Sequence, residues 1–224
     1  DKTVVNSLEF KSDLKKEFNV DAKCIYNPLD KAEINKKSKV KKNKFFKSKN
    51  KLRILSIGRF TEQKDQMTLL KSLKILKNKI NFEAIIVGRG IEKKKLLNYI
   101  KENYLEKNVK IINFLENPYP IIKETELFIL SSRYEGLPNV LLESLVLKKM
   151  IISSNCRTGP KEILLNGKGG LLFKVEDYKE LHKKIIFYIN NKKKCHKMLK
   201  LAIKKLDRFE KKKNLDEYYK LVTS

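Results

Sequence analysis

Residues 131–145 read SSRYEGLPNVLLESL, and two carboxylates within them, Glu135 and Glu143, have seven residues between them. Glu143 stands in the run 140–147, which is otherwise apolar except for Ser144. A buried carboxylate without partners is costly, so Glu143 must face a cation, hydroxyl groups or backbone donors. One carboxylate lies in the turn before a helix and the other about a turn and a half inside it. Both can therefore address one ligand across the helix start. The spacing equally allows a solvated loop residue and an exposed helix edge. A second pair follows Gly58: Arg59 offers a planar fork of donors and Lys64 a mobile point charge, which suits the two phosphates of a diphosphate. In so basic a chain the same two residues also read as ordinary surface positions.

The elements that must position these groups follow from apolar periodicity. Residues 127–131 (LFILS) read as a short buried strand and 139–148 as a helix, with Gly136 allowing a close backbone approach and Pro138 suited to a first helical position. Free N–H groups at such a start attract anions. Residues 52–57 form a strand ended by Gly58, and Met67, Leu69, Leu70, Leu73, Ile75 and Leu76 recur at helical spacing after the turn. A strand at 82–87 closes on Gly88-Arg89-Gly90 before a helix at 92–104. Further strands are expected at 109–114, 150–153 and 171–173, a short helix at 120–123, and an amphipathic helix at 178–188. Six alternations of strand and helix predict an α/β, Rossmann-like doubly wound parallel sheet, whose ligands bind at the carboxyl ends of the strands.

At 224 residues and 41% apolar content the chain can bury a good-sized core. No run approaches a membrane span and residues 1–10 do not resemble a leader, so a cytoplasmic protein is expected. Cys24, Cys156 and Cys195 are widely spaced, which suggests neither disulfides nor a zinc site. His182 and His196 lie in basic helical surroundings and read as surface residues. The formal charge of +26 fits nucleic acid, an anionic membrane surface, a polyanionic substrate or a lysine-rich genome. No nucleic-acid-binding pattern accompanies it, so nucleic acid is not expected as a partner. Residues 1–20 have loosely helical spacing, and 23–26 make a short strand stopped by Asn27-Pro28. Residues 31–51 hold ten lysines with little periodicity and read as a solvated, mobile basic linker. Phe45-Phe46 within it is a candidate interfacial anchor or part of a plain linker.

The segment EGLPNVLLE, from Glu135 to Glu143, resembles the E-x7-E signature of retaining glycosyltransferases of the GT-B fold, in particular the large family 4 of nucleotide-sugar-dependent hexosyltransferases. GRFTEQKD resembles that family's G-R-(x4)-K-(G/D) turn, and Gly88-Arg89-Gly90 its (V/I)-G-x-G. Asn113-Phe114-Leu115 resembles F-L-G, with Glu116 where glycine is usual; Gly159-Pro160 with Glu162 resembles the turn before G-P-x-E-I, close to the donor sugar. YNPLD, residues 26–30, resembles the junction between the family's two domains. Four motifs in order, each at the end of a predicted strand, carry the resemblance over nearly the whole chain.

The resemblance implies one half of a GT-B enzyme, with residues 1–30 as the last helix and strand of a mostly absent N-terminal domain. It further implies the linker at 31–51, a nucleotide-sugar-binding domain at 52–205, and a crossing helix at 206–224 packed through Phe209, Leu215, Tyr218, Tyr219 and Val222. The implied reaction transfers a hexose or N-acetylhexosamine from a nucleoside diphosphate sugar, UDP-sugar foremost, to a glycan or lipid-linked acceptor with retention, in surface polysaccharide synthesis. Glu135, Arg59 and Lys64 are the implied catalytic residues. Donor binding falls to Gly58, Arg59, Lys64, Gly88, Gly136, Leu137, Pro138, Asn139 and Glu143. No metal and no cofactor is implied, an Arg/Lys pair replacing a divalent ion. The place of work would be the inner face of the cell membrane, against an anionic membrane surface. The missing domain, or a partner chain supplying it, is the remaining partner, and the chain alone is expected to bind donor nucleotide but turn over slowly or not at all. The alternative is a non-catalytic nucleotide-sugar-binding module.

Overall fold

A computed structural model of the chain describes residues 2–40, 45–48 and 50–223. Thr3–Val5 (β1) and Ala22–Cys24 (β2) pair in parallel as a small sheet of their own, joined by the helix Leu8–Phe18 (α1). Ser7 caps α1 by accepting from the Phe10 N–H at 3.1 Å, and Asn19 ends it in the left-handed region. The loosely helical reading of residues 1–20 thus divides into a strand and a helix. Val4 and Val5 belong to the strand, where β-branched side chains fit a pleated surface.

The helix Lys31–Lys37 (α2) follows, capped by Asp30, with Ile34 buried beneath it. This corrects the expectation of a structureless basic linker over 31–51. Phe46 is 5% exposed and Phe45 is half-buried against the core, so the pair is not an interfacial anchor. Backbone N–H groups of Phe45 and Lys47 donate to Glu124 and Glu83, which fixes the aromatic pair against the sheet domain. The remainder of the linker reading, at 41–44 and 49, lies outside the described residues.

From here strand and helix alternate as the periodicity predicts. The order is β3 Leu52–Ile57, α3 Gln66–Leu76, β4 Phe82–Val87, α4 Lys93–Glu102, β5 Val109–Ile112, α5 Tyr119–Glu124, β6 Leu127–Leu130, α6 Asn139–Val146, β7 Met150–Ser154, α7 Pro160–Ile163, β8 Leu171–Phe173, α8 Tyr178–Asn190 and α9 Lys192–Lys204. The strands are rich in Ile, Leu, Val and Phe, with Arg53, Ser56 and Glu83 as interruptions, as strands covered on both faces tend to be. They form one parallel sheet in the order β5-β4-β3-β6-β7-β8. The chain therefore moves outward from β3 in one direction and from β6 in the other. Right-handed crossovers then place their helices on opposite faces: α3 packs with α4 and α8, and α6 with α5 and α9. Between β3 and β6 the strand order reverses, and that is where an open α/β sheet offers a crevice.

A 3-10 turn at Leu206–Phe209 and the helix Lys211–Thr223 (α10) close the chain. The tail returns to residues 26–29: the Leu29 N–H donates to Phe209 O at 2.8 Å, and the Tyr26 and Phe209 rings meet edge to face at 4.7 Å. Of the five tail residues expected to pack, Phe209 is buried here, while Leu215, Tyr218, Tyr219 and Val222 are exposed. His182, expected on the surface, is buried on α8, the helix that packs on α3, and burial holds its imidazole below the usual range. The basic helical surroundings read around His196 are α9, whose bounds at 192–204 the sequence did not mark. Its Cys195, Leu199 and Ala202 supply the buried face amid lysines.

Candidate functional site

Each turn that carries a candidate residue leaves the carboxyl end of a strand, so the sheet itself gathers them. The turn after β3 and the turn after β4 touch through backbone alone: a Cβ on Gly88 would lie 2.0 Å from Gly58 O. Across the β3/β6 crevice hydrogen bonds join the turns. Gln63 Nε2 donates to Tyr134 O at 3.0 Å, the Arg133 N–H to Gln63 O at 2.7 Å, and Ser131 Oγ to Lys64 O at 3.1 Å. Asp65 ends the first turn by capping α3, its carboxylate accepting from the Thr68 N–H and hydroxyl at 3.1 and 2.7 Å.

At the centre of this junction Lys64 Nζ donates to Glu135 Oε1 at 2.5 Å, and Ser132 Oγ donates to the same oxygen at 2.6 Å. The Glu135 side chain is 6% exposed and that of Lys64 16%. A pair so enclosed is held by geometry, and either charge alone would be costly. Arg59 is exposed, and its Nη2 reaches Gln63 Oε1 at 3.5 Å. A cation on an exposed fork beside a buried lysine leaves one charge free for an incoming anion.

The turn after β7 supports the Glu135 turn from below. Thr158 Oγ1 donates to Glu135 O, and the Glu135 N–H to Arg157 O at 3.4 Å. Gly159 has φ 81°, and a Cβ there would lie 2.0 Å from Gly136 O and 2.6 Å from Pro138 Cδ. Pro138 has extended geometry and precedes α6 directly. Asn139, the first residue of α6, accepts from Asn27 Nδ2 at 2.8 Å, and Asn27 Oδ1 accepts in turn from Asn6 Nδ2 at 3.3 Å. The buried Leu137 lies between, its carbonyl within 3.4 Å of the same Asn27 amide.

α1 closes the site on the other side with carboxylates one turn apart. Arg157 Nε donates to Asp13 Oδ2 at 2.9 Å and its Nη2 to Glu17, while the Thr158 N–H donates to Glu9 Oε2 at 3.1 Å. A half-open cavity of about 460 Å³ remains between α1 and the turn, with Phe10, Phe18, Tyr134 and Gly136 on its wall. Glu162 belongs to the turn expected close to the donor sugar, and its side chain is engaged within the chain. Its carboxylate accepts from the Tyr26 hydroxyl and, at 3.0 Å, from the Leu8 N–H, so it ties α1 to the β7 turn.

Glu143 is half-buried on α6 and meets the Tyr119 hydroxyl at 3.4 Å rather than Arg59, Lys64 or Glu135. Burial raises its carboxyl above the usual range, with the Tyr119 bond opposing weakly. Tyr119 is pushed up to about 12 by burial and then by Glu143. An acid whose folded pKa is raised favours the fold below its unfolded pKa, and that contribution is lost as pH rises through the folded pKa. Glu143→Gln should therefore be at least as stable as the native chain near neutral pH, with the difference vanishing below about pH 4. Urea titrations at the two pH values check this.

The structure brings Gly58, Arg59, Lys64, Gly88, Glu135, Gly136, Leu137, Pro138 and Asn139 to one end of the sheet, with Lys64 and Glu135 in direct contact. Sequence reasoning missed Gln63, Ser132, Thr158, Tyr119 and Asn27. Of these, Gln63 and Ser132 adjoin motif residues, which is the only signal they offered. Among the described residues no group of three or more His, Cys, Asp and Glu side chains could hold a metal.

The family profile of glycosyl transferases group 1 matches residues 37–205. The capsular polysaccharide biosynthesis glycosyltransferase CapH of Staphylococcus aureus is 35% identical over 139 residues, 60% of this chain and 37% of that protein. A Campylobacter jejuni N-acetylgalactosamine-N,N'-diacetylbacillosaminyl-diphospho-undecaprenol 4-alpha-N-acetylgalactosaminyltransferase is 29% identical over 171 residues, 74% of this chain and 44% of that one. The chain thus spans less than half the length of these curated relatives. The crystal structure of Anabaena Alr3699/HepE in complex with UDP superposes with a TM-score of 0.85 at 21% identity, over 99% of this chain and 63% of that one.

Proposed function

The chain belongs to the glycosyl transferases group 1 family, and from that premise we propose that it is the donor-binding half of a retaining GT-B hexosyltransferase of surface polysaccharide or lipid-linked glycan synthesis. The observation that carries this reading is the Lys64–Glu135 pair lying across the β3/β6 crevice with Arg59 exposed beside it. An anion entering there meets Arg59 directly and competes with Glu135 for Lys64. The two cations neutralise the charge that grows on a leaving diphosphate, and stabilising such charge is commonly the largest catalytic contribution. Backbone N–H groups between Gly136 and Asn139, at the start of α6, add to the same field. Gly58 and Gly88 let the backbone approach the nucleotide, as their own close contact requires.

Glu135 orients the donor sugar from its fixed place beside Ser132. Glu143, raised by burial, gains hydroxyl donors from a ribose in place of lost water. UDP-sugar is the donor, since the Anabaena structure superposed above holds UDP. The acceptor is a glycan or lipid-linked glycan at an anionic membrane face, met in the full enzyme by an N-terminal domain to which residues 1–30 belong or by a partner chain supplying it. A nucleotide-sugar-binding module without transfer is the second reading.

Calorimetry with UDP tests the site. The chain binds UDP, Arg59→Ala weakens binding about tenfold, and Glu143→Ala weakens it by a similar factor, as expected for lost charged hydrogen bonds. A folded chain that binds UDP equally well with either substitution would overturn the assignment. Restored sugar transfer on adding a first domain in trans would separate the transferase from the binding module.

A further inference from the structure

From Leu181 to Leu206 the chain carries nine lysines and no carboxylate. Six of them lie on α9, whose buried Cys195, Leu199 and Ala202 face β7 and α6. Lys193, Lys197, Lys200 and Lys204 follow one another at four, seven and eleven residues. At about 100° per residue this gathers them in an arc of roughly 60°, directly opposite the buried face. All four are exposed, and none pairs with a carboxylate among the described residues. The helix's single ion pair there is Lys192 with Glu126, at 3.9 Å.

Beside this stripe lies a half-open cavity of about 480 Å³. The buried Met150, Tyr188 and Leu199 form its floor, the exposed Lys148, Lys193 and His196 its rim, and the paired Lys192 and Glu126 part of its wall. An apolar hollow edged by cations beside an unpaired lysine row asks for a partner with negative charge at its surface and hydrocarbon close behind. A bilayer containing anionic phospholipid has both. A nucleic-acid duplex answers only the charge, and α9 has no Phe, Tyr or Trp on which bases could stack.

We infer that the Lys193–Lys204 stripe of α9, with the adjoining cavity, is the face by which this domain docks on an anionic phospholipid bilayer. It takes the place of Phe45-Phe46, which the core has claimed. The inference rests on the proposed function only for the membrane as the place of work. UDP calorimetry reads the nucleotide site separately, so the failure of one is distinguishable from the failure of the other.

The test is co-sedimentation of the chain with vesicles of phosphatidylcholine containing about one third phosphatidylglycerol, where each lysine near the surface contributes measurably. The variant K193Q/K197Q/K200Q/K204Q should lower vesicle binding by at least about tenfold, judged from the attraction per lysine. The control K94Q/K101Q/K107Q/K110Q removes the same charge from exposed positions on α4 and the β5 side of the sheet. It should bind nearly as well as the native chain. Equal losses in both variants would mean that overall charge alone drives binding and would overturn the inference. So would absence of binding to these vesicles, or a stripe variant that loses affinity for duplex RNA while keeping it for vesicles. All eight positions are exposed, and retained circular dichroism verifies the fold.

Discussion

Lys64→Met should destabilise the chain by about 3 kcal/mol or more, because it leaves a nearly inaccessible carboxylate without its cation. Glu135 is 6% exposed, and after the substitution only the Ser132 hydroxyl at 2.6 Å still donates to its Oε1. Water cannot replace the ammonium without opening the junction between the β3 and β6 turns. The methionine stem fills the volume of the lysine stem, so the loss reports charge rather than packing. The double variant Lys64→Met/Glu135→Gln removes both charges and should recover most of the loss, since a neutral amide keeps the Ser132 bond. Urea denaturation of the three proteins decides it. A double variant no more stable than Lys64→Met would show that the pair's contribution is not electrostatic. UDP binding should be lost in both, because neither restores the cation.

Gly159→Ala should destabilise the chain by on the order of 4 kcal/mol, from a backbone collision no rotamer can relieve. The added carbon falls 2.0 Å from Gly136 O and 2.6 Å from Pro138 Cδ, at a φ of 81° that disfavours any side chain. Relief requires the Glu135–Pro138 turn to move away from the β7 turn, which carries Glu135 off Lys64. Gly167→Ala is the control. It has φ 84°, but its nearest neighbour beyond the chain is 3.8 Å away, so it bears conformational strain alone, on the order of 1 kcal/mol. Equal losses at the two positions by thermal denaturation would show that strain, and not contact with the Gly136 turn, governs Gly159.

The sheet was legible because its strands are mostly apolar runs punctuated by Gly58, Gly88 and the Gly169-Gly170 turn, as covered parallel strands tend to be. The candidate residues were legible for the same reason: Arg59, Lys64 and Glu135 stand in turns, where a charge needs no packing explanation. The helix within 31–51 and the bounds of the helix at 192–204 were obscured by one cause. Their lysines outnumber the few apolar side chains that decide the structure, Ile34 and Phe46 in one case and Cys195, Leu199 and Ala202 in the other. Three or four buried positions suffice to seat a short helix on an existing core, and a periodicity count over so few is weak. Thr158, Tyr119 and Asn27 could not be found from neighbours in sequence, since each is defined by a partner that only the sheet brings near. The turn that holds Glu162 was read by resemblance but its tie to α1 was not, since a carboxylate there answers both a hydroxyl and the free Leu8 N–H at that helix's start.

The two halves of the sheet meet where Ile54 pairs with Leu127 and Leu55 with Phe128. On either side of that seam each strand pairs with its successor along the chain, β3 with β4 and β4 with β5, then β6 with β7 and β7 with β8. Each half can therefore assemble from near neighbours, while the seam must close a far longer loop, and long closures are the slow events in folding. Lys64 and Glu135 face one another over the seam, so the site has no existence in either half alone. It comes into being with the pairing of the seam, and a nucleotide held across it favours the joined halves over the parted ones.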